Sequence, residues 1–86
     1  MYRIEFSRSS ARELERVYRV DRKLCLRLIA AIESLKDNPF QGKKLRADLK
    51  GDYSLRVGDY RIIYTVNSAR LIVYIIDLGH RKAIYR

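Results

Sequence analysis

The chain opens with hydrophobic residues at every second position and then changes to a helical spacing. Tyr2, Ile4 and Phe6 alternate with charged residues, a pattern that predicts a short β-strand. Apolar residues then recur every three or four positions, which predicts two amphipathic helices. The first set is Ala11, Leu14, Val17 and Tyr18, and the second is Leu24, Leu28, Ile32 and Leu35.

Polar residues predict where the helices begin and end. Ser10 and Glu13 have the spacing of a capping box, and Asp21 predicts the cap of the second helix. Asn38-Pro39 ends that helix, because the residue before a proline is pushed out of helical geometry. Helices joined so briefly are expected to fold back as a hairpin.

The spacing of two returns in the second half and predicts three more strands, over residues 53–57, 60–66 and 71–76. Gly58-Asp59 separates the first two, and Asn67-Ser68-Ala69 precedes the third. Such short links predict an antiparallel meander. We therefore expect an α+β fold: an N-terminal strand, a two-helix hairpin and a three-stranded meander, forming one curved sheet covered on one face. The pattern leaves the position of the first strand in the sheet open.

Length and composition narrow the class of protein. Eighty-six residues predict one domain spanning 1–86, and 48% hydrophobic with 34% charged residues is typical of a globular protein. The longest apolar stretch, 71–76, is far shorter than the roughly 20 residues of a membrane-spanning helix, and MYRIEF lacks a signal-peptide core. The single cysteine, Cys25, excludes an internal disulfide and is expected to be a buried hydrophobe. We expect a cytoplasmic protein that does not engage membranes.

The charge is strongly positive and uneven. Nineteen Lys and Arg against ten Asp and Glu give a net charge of +9, of which residues 42–86 carry +6, from ten basic and four acidic side chains. Such a field attracts polyanions, so nucleic acid or an acidic protein is the expected partner, although a basic surface can also serve solubility alone.

Two arginines occupy unusual positions in the predicted hairpin. Alternation places Arg56 and Arg61 on the face opposite to the apolar residues, and the turn at Gly58-Asp59 makes them neighbours across the two strands. Like charges facing each other destabilise a sheet, and a bound phosphate would relieve the repulsion. The alternatives are two solvated side chains, or pairing with Asp52 and Asp59.

The run from Gly79 to Arg86 is expected to follow the last strand, and it brings His80, Arg81 and Tyr85 within a few residues. RNA cleaves itself when its 2′-hydroxyl is deprotonated, its phosphate charge is neutralised and its leaving oxygen is protonated, which such side chains promote. A structural role for His80 is the alternative. One histidine and one cysteine do not form a metal site, so we expect neither metal nor cofactor.

The stretch 55–64 (LRVGDYRIIY), followed by the apolar strand, Gly79-His80-Arg81 and Tyr85, resembles the RelE/ParE toxin superfamily. The opening strand, the helical hairpin, Asn38-Pro39 and the Gly-Lys-Lys-Leu loop at 42–45 fit the same pattern, so the resemblance covers nearly the whole chain. It implies a microbial-ribonuclease-like fold and the toxin of a type II toxin–antitoxin pair. It also implies a cognate antitoxin encoded beside it, with operator DNA bound only through the toxin–antitoxin complex.

Within that superfamily, RelE-like members cut mRNA in the ribosomal A site without a metal and so inhibit translation. The resemblance implies that Arg61 stabilises the phosphate charge, Arg81 assists the leaving oxygen and Tyr85 stacks on or orients a base. Arg56 falls on a strand position where these enzymes carry a basic residue. Six further basic residues, from the loop after Gly42 and from the C-terminal run, are expected to bind RNA backbone: Lys43, Lys44, Arg46, Lys50, Lys82 and Arg86.

The sequence departs from the RelE-type pattern at Ser54, where that pattern has a lysine thought to help take the 2′ proton. A guanidinium is a poor base, so Arg56 does not replace it, and His80 is the candidate, because imidazole exchanges protons near neutral pH. Two other functions stay open: a ParE-like inhibitor of DNA gyrase, and a noncatalytic module that docks an antitoxin and operator DNA.

Overall fold

The computed structural model describes residues 1–45, 51–80 and 82. Its elements, in chain order, are β1 (Arg3–Phe6), α1 (Arg8–Val20), α2 (Arg22–Ser34), β2 (Lys43–Lys44), β3 (Asp52–Val57), β4 (Tyr60–Asn67) and β5 (Ile72–His80). The expected α+β class, with a strand, a helical hairpin and a meander, is confirmed. The structure adds one element, β2, in the segment that was expected to be a basic loop.

The strands form one mixed sheet in the order β1-β5-β4-β3-β2. β2, β3, β4 and β5 pair antiparallel, as a meander requires. β1 pairs parallel with β5, which settles the position that the hydrophobic pattern left open. A parallel pair needs a long crossover connection, and the helical hairpin begins that connection.

The hydrophobic core lies between the two helices and one face of the sheet. The stripe expected on α2 is confirmed, since Leu28, Ile32 and Leu35 are buried and Leu24 packs against them. Cys25 is also buried, as expected of a small hydrophobe. The sheet contributes alternate residues from its strands: Val57, Ile62, Tyr64, Val73, Ile75 and Leu78.

The helix boundaries differ in part from the expected ones. Asp21 caps α2 as predicted, with its side chain accepting a hydrogen bond from the Leu24 N–H. The capping box at Ser10 is wrong, because the N-cap of α1 is Ser7, whose Oγ accepts from the Ser10 N–H at 3.1 Å. Ser10 is instead fully buried, with its Oγ 3.1 Å from the Ile75 carbonyl, so it satisfies a polar group where α1 meets β5. α2 ends at Ser34, and a turn precedes Asn38-Pro39.

The last strand is longer than expected. β5 runs from Ile72 to His80, so Gly79 and His80 belong to the strand and do not follow it. A register shift opposite Ile63 and Tyr64 interrupts the alternation, which is why a spacing of two does not identify the whole strand. Leu71, with φ of 57°, belongs to the preceding turn. Within the described ranges, no helix has the length and apolar character needed to cross a bilayer.

Candidate nucleic-acid site

The sheet face away from the helices, hereafter the open face, carries both strand arginines. Arg56 and Arg61 are directly opposite each other in the β3–β4 register. The turn between them has two residues, and Gly58 adopts a φ of +60° at its first position, a geometry typical of tight hairpins. The expectation that these arginines are neighbours across the hairpin is confirmed.

The two guanidinium groups differ in their surroundings. Arg56 is exposed, and its Nε donates to the Gly58 carbonyl at 3.0 Å, so its side chain is held toward the turn. Arg61 is only half-exposed and its Nε is buried. Arg61 is therefore the more fixed of the two, while Arg56 keeps donors at the surface.

Arg27 of α2 is a further cation that the hydrophobic pattern did not single out for function. A Cβ added to Gly58 would lie 3.5 Å from its guanidinium nitrogen, so this arginine lies against the β3–β4 turn. Its position follows from the packing of α2 on the sheet. The alternation of apolar and polar residues within a strand does not predict the position of Arg27.

β2 holds two of the expected RNA-binding residues, Lys43 and Lys44, and both are exposed. Lys43 pairs with Ser54 and Lys44 with Tyr53. Directly opposite residues of neighbouring strands share a face, so Lys43 lies on the open face and Lys44 on the other. Ser54 is buried, with 6% of its surface exposed.

His80 lies on the other face of the sheet. It pairs with Tyr60 across β4 and β5, and the two rings meet edge to face with centroids 6.2 Å apart. Arg61 pairs with the preceding residue, Gly79, whose position faces the opposite side. The structure therefore brings Arg56 and Arg61 together and separates His80 from them.

The ring of His80 also makes a hydrogen bond to the backbone. Its Nδ1 accepts from the Lys82 N–H at 3.3 Å. The imidazole lone pair is thus used to hold the chain that leaves β5. Lys82 itself is exposed.

A polar network connects α1 to the Tyr60–His80 pair. Arg16 donates to Glu13 at 2.7 Å and to the Tyr60 hydroxyl at 3.1 Å, and that hydroxyl lies 3.3 Å from Glu13. The hydrogen bond from Arg16 lowers the pKa of the Glu13 carboxyl, whereas burial raises the pKa of Tyr60. The spacing of Glu13 and Arg16 is a sequence signal for their ion pair, but their contact with Tyr60 depends on the docking of α1 on the sheet.

Five expected site residues lie outside the described residues: Arg46, Lys50, Arg81, Tyr85 and Arg86. Within the described part of the chain, no three or more His, Cys, Asp and Glu side chains gather as metal ligands would.

A separate surface feature is an apolar groove of about 620 Å³ between β1 and the helical hairpin. Phe6, Leu14, Tyr18 and Ile29 are among the apolar side chains that line it, and Tyr18 and Ile29 are 48% and 39% exposed. Solvent-exposed apolar side chains gathered in one groove are typical of a surface that binds a partner.

The described site is thus a basic sheet face suited to one or two phosphates. Two guanidinium groups side by side match phosphate oxygens in charge and geometry.

Comparison with known families agrees with this geometry. Residues 4–85 match the family described as the ParE toxin of the type II toxin–antitoxin system parDE. Two curated relatives come from Mycobacterium tuberculosis. Toxin RelE is 35% identical, covering 99% of this chain and 87% of the relative, and toxin RelG is 33% identical, covering 99% and 97%.

Solved structures show the same fold. The RelBE2 toxin–antitoxin complex of Mycobacterium tuberculosis aligns with a TM-score of 0.80 at 27% identity, covering 93% of this chain and 98% of the matched chain. The intact RelBE toxin–antitoxin complex of Escherichia coli gives a TM-score of 0.80 at 19% identity, with coverage of 93% and 96%. The family match over nearly the whole chain, the two relatives above 30% identity and the shared fold establish that this protein is a member of the RelE/ParE superfamily of type II toxin–antitoxin toxins.

Proposed function

We propose that this toxin is a ribosome-dependent, metal-independent endoribonuclease that cuts mRNA and thereby inhibits translation. The observation that carries the proposal is the cross-strand pair of Arg56 and Arg61 on the open face. Like charges directly opposite each other cost stability, and a bound phosphodiester relieves that repulsion. The similarity to toxin RelE over 99% of the chain supports the same activity.

The chemistry is an internal transfer within the RNA. The 2′ oxygen attacks the adjacent phosphorus, the bond to the 5′ oxygen breaks, and the products are a 2′,3′-cyclic phosphate and a 5′-hydroxyl. Arg61 stabilises the added negative charge on the phosphoryl oxygens, and Arg56 holds the phosphate beside it. Arg81 assists the 5′ oxygen as it leaves, and Tyr85 stacks on a base.

We assign His80 a positioning role. Its ring lies against Tyr60 on the face opposite to Arg61, and its Nδ1 accepts a hydrogen bond from Lys82. Residues 80 and 82 flank Arg81, so a ring that holds the backbone here sets the start of the segment that carries Arg81 and Tyr85. Lys44, Arg46, Lys50, Lys82 and Arg86 supply affinity for RNA backbone.

The deciding experiment is cleavage of mRNA bound to purified ribosomes, read by primer extension, with wild type and Arg81→Ala. We expect cuts from the wild type, and at least about 100-fold slower cleavage by the variant, because a charge-stabilising donor is lost. Intact mRNA with folded wild-type protein would contradict the proposal.

The match to the ParE family model supports a second candidate, inhibition of DNA gyrase. A supercoiling assay separates the two functions. Blocked supercoiling together with intact ribosome-bound mRNA would replace the ribonuclease. Inertness in both assays, with tight antitoxin binding, would instead favour a noncatalytic docking module.

The toxin's partner, in this proposal, is a cognate antitoxin in the cytoplasm. Related toxins were solved as toxin–antitoxin complexes, and the apolar groove beside β1 suits the apolar face of an amphipathic helix. An acidic polar face on that helix would complement the charge of +9.

Co-expression with the open reading frame next to the toxin gene tests this partner. Ile29→Glu, in the groove, is expected to abolish co-purification of that protein, whereas Leu26→Glu, on exposed α2 surface outside the lining, is expected to retain it. Equal retention by both variants would place the antitoxin elsewhere.

A further inference from the structure

The short strand β2 places a lysine at the edge of the arginine pair. Lys43 is directly opposite Ser54, and Ser54 is two residues before Arg56 on β3. Alternate residues of a strand share a face, so Lys43, Ser54, Arg56 and Arg61 all lie on the open face. Lys44 is opposite Tyr53 and lies on the other face. Two adjacent lysines of equal charge therefore have different access to the arginine pair.

The backbone around Lys43 is held on both sides. The Gly42 N–H donates to the Tyr64 hydroxyl at 3.0 Å, and the Leu45 N–H donates to the Asp52 carbonyl at 3.0 Å. Tyr64 is itself fully buried, so the first of these anchors reaches into the core. Lys43 thus extends from a fixed point of the sheet, which is the arrangement that precise chemistry needs.

Gly42 shows how closely β2 approaches the sheet. A Cβ at this position would lie 2.6 Å from the Tyr64 hydroxyl and 3.0 Å from the Ser54 carbonyl. Any side chain would push β2 outward, so only glycine permits this contact. The close approach, in turn, sets where the Lys43 side chain begins.

The geometry of the strands allows Lys43 to reach the same phosphate as Arg61. Lys43 on β2 and the Ser54–Ile63 pair on β3 and β4 form one cross-strand row. Two strand spacings, about 10 Å, separate Lys43 from β4. A lysine and an arginine extended toward each other close that distance.

We propose that Lys43 is a catalytic residue, the third cation on the open face, whose ammonium group contacts the attacking 2′ oxygen. The inference rests on the proposed ribonuclease function. A guanidinium group matches two phosphate oxygens, whereas an ammonium is a compact charge suited to a single oxygen. It stabilises the charge on the 2′ oxygen while the bond to phosphorus forms and the bond to the 5′ oxygen breaks. The 2′ proton leaves to solvent and the 5′ oxygen takes a proton from solvent, so Lys43 ends the step unchanged.

The test compares Lys43→Ala with Lys44→Ala in single-turnover cleavage of ribosome-bound mRNA over a range of toxin concentrations. We expect Lys43→Ala to lower the rate at saturation about 100-fold, as loss of a group that stabilises transition-state charge does. Lys44→Ala removes the same charge but should mainly raise the half-saturating concentration. Lys23→Ala, on exposed α2 surface, controls for net charge and should match the wild type.

A rescue variant sharpens the test. Ser54→Lys returns an amine to the open face from the neighbouring strand. In the Lys43→Ala background it should raise the saturating cleavage rate at least about tenfold above that of Lys43→Ala alone, because it restores the missing positive charge. Failure of Ser54→Lys to restore any rate, in a variant with wild-type melting temperature, would overturn the proposal.

The outcomes also separate this inference from the proposed function. Wild type that leaves mRNA intact contradicts the ribonuclease itself. If the wild type cleaves, Arg61→Ala does not, and Lys43→Ala reaches the full rate at saturation, only the role of Lys43 is contradicted. Equal losses of affinity in Lys43→Ala and Lys44→Ala, with unchanged saturating rates, would make both residues backbone-binding lysines and overturn the inference.

Discussion

The two faces of the β3–β4 hairpin are built from alternate residues of the same short stretch, yet different physical effects account for their residues. On one face Val57, Ile62 and Tyr64 are buried against the helices. On the other, Arg56 and Arg61 face each other, an arrangement that opposes folding. Removal of apolar surface from water explains the first face, and the proposed phosphate binding would explain the second. Substitutions on one face should therefore change stability, and substitutions on the other should change activity.

Ile62→Ala is expected to give the largest effect. Ile62 is fully buried, so truncation leaves a cavity and should lower the free energy of unfolding by about 2 to 5 kcal/mol. Urea denaturation measures the loss. Ile63→Ala, the adjacent half-buried residue on the open face, should lose clearly less. Equal losses would contradict the division between the two faces.

Arg61→Ala is the counterpart on the open face. It should slow cleavage of ribosome-bound mRNA by about 10²- to 10³-fold, because the phosphoryl oxygens lose a fixed donor. The melting temperature is expected to fall less than in Ile62→Ala, since Arg61 is half-exposed whereas Ile62 is fully buried. Arg70→Ala, an exposed arginine in the β4–β5 turn, controls for lost charge. Equal cleavage by both variants would remove Arg61 from the site.

His80→Ala tests a residue of β5 that lies on the sheet face opposite to the open face. We expect the cleavage rate to fall about tenfold, less than the 10²- to 10⁴-fold that a lost proton-transfer group costs. The rate should keep its wild-type dependence on pH, because the lost function is support of Lys82 and the segment beyond it. Disappearance of one limb of the pH–rate profile would instead identify His80 as the general base.

Tyr64→Phe tests the connection between the two faces. It removes the acceptor of the Gly42 N–H and should cost about 1 kcal/mol of unfolding free energy, measured in urea. Because β2 loses an anchor, the saturating cleavage rate should also fall. Tyr2→Phe is a matched control, since its hydroxyl makes an exposed hydrogen bond of 3.3 Å to Ser68. A change in neither stability nor rate would mean that β2 is held without Tyr64.

Glu13→Gln should have the smallest effect, and one that depends on pH. The hydrogen bond from Arg16 holds the pKa of the Glu13 carboxyl below its usual value of 4.5. A lowered folded-state pKa adds stability that is fully present above pH 4.5 and is lost as the pH falls through the folded-state value. The variant should therefore melt slightly below wild type at pH 7, and the difference should vanish in acid. If the difference in melting temperature persists in acid, its cause is packing and not the charge of Glu13.

The sequence predicted much of this molecule, because its signals are local. Alternation identified β3 and β4 and the faces of Arg56 and Arg61, and the stripe of Leu28, Ile32 and Leu35 identified the buried side of α2. The α1 cap was misplaced by three residues, since Ser7 and Ser10 both have a serine's capping ability. The structure distinguishes their roles, because Ser7 is extended and its Oγ accepts from the Ser10 N–H, whereas Ser10 lies within α1 and its Oγ donates to the Ile75 carbonyl.

The sequence by itself determined the class of fold, the excess of positive charge and the pair of arginines on one face. Spacing of two or 3.6 residues and net charge are properties of the chain before it folds. The tertiary structure decided that β1 lies beside β5, that β2 brings Lys43 opposite Ser54, and that His80 lies across the sheet from Arg61. These relations depend on strand register and on a shift in β5, which arise from contacts between distant segments and leave no periodic trace in the sequence.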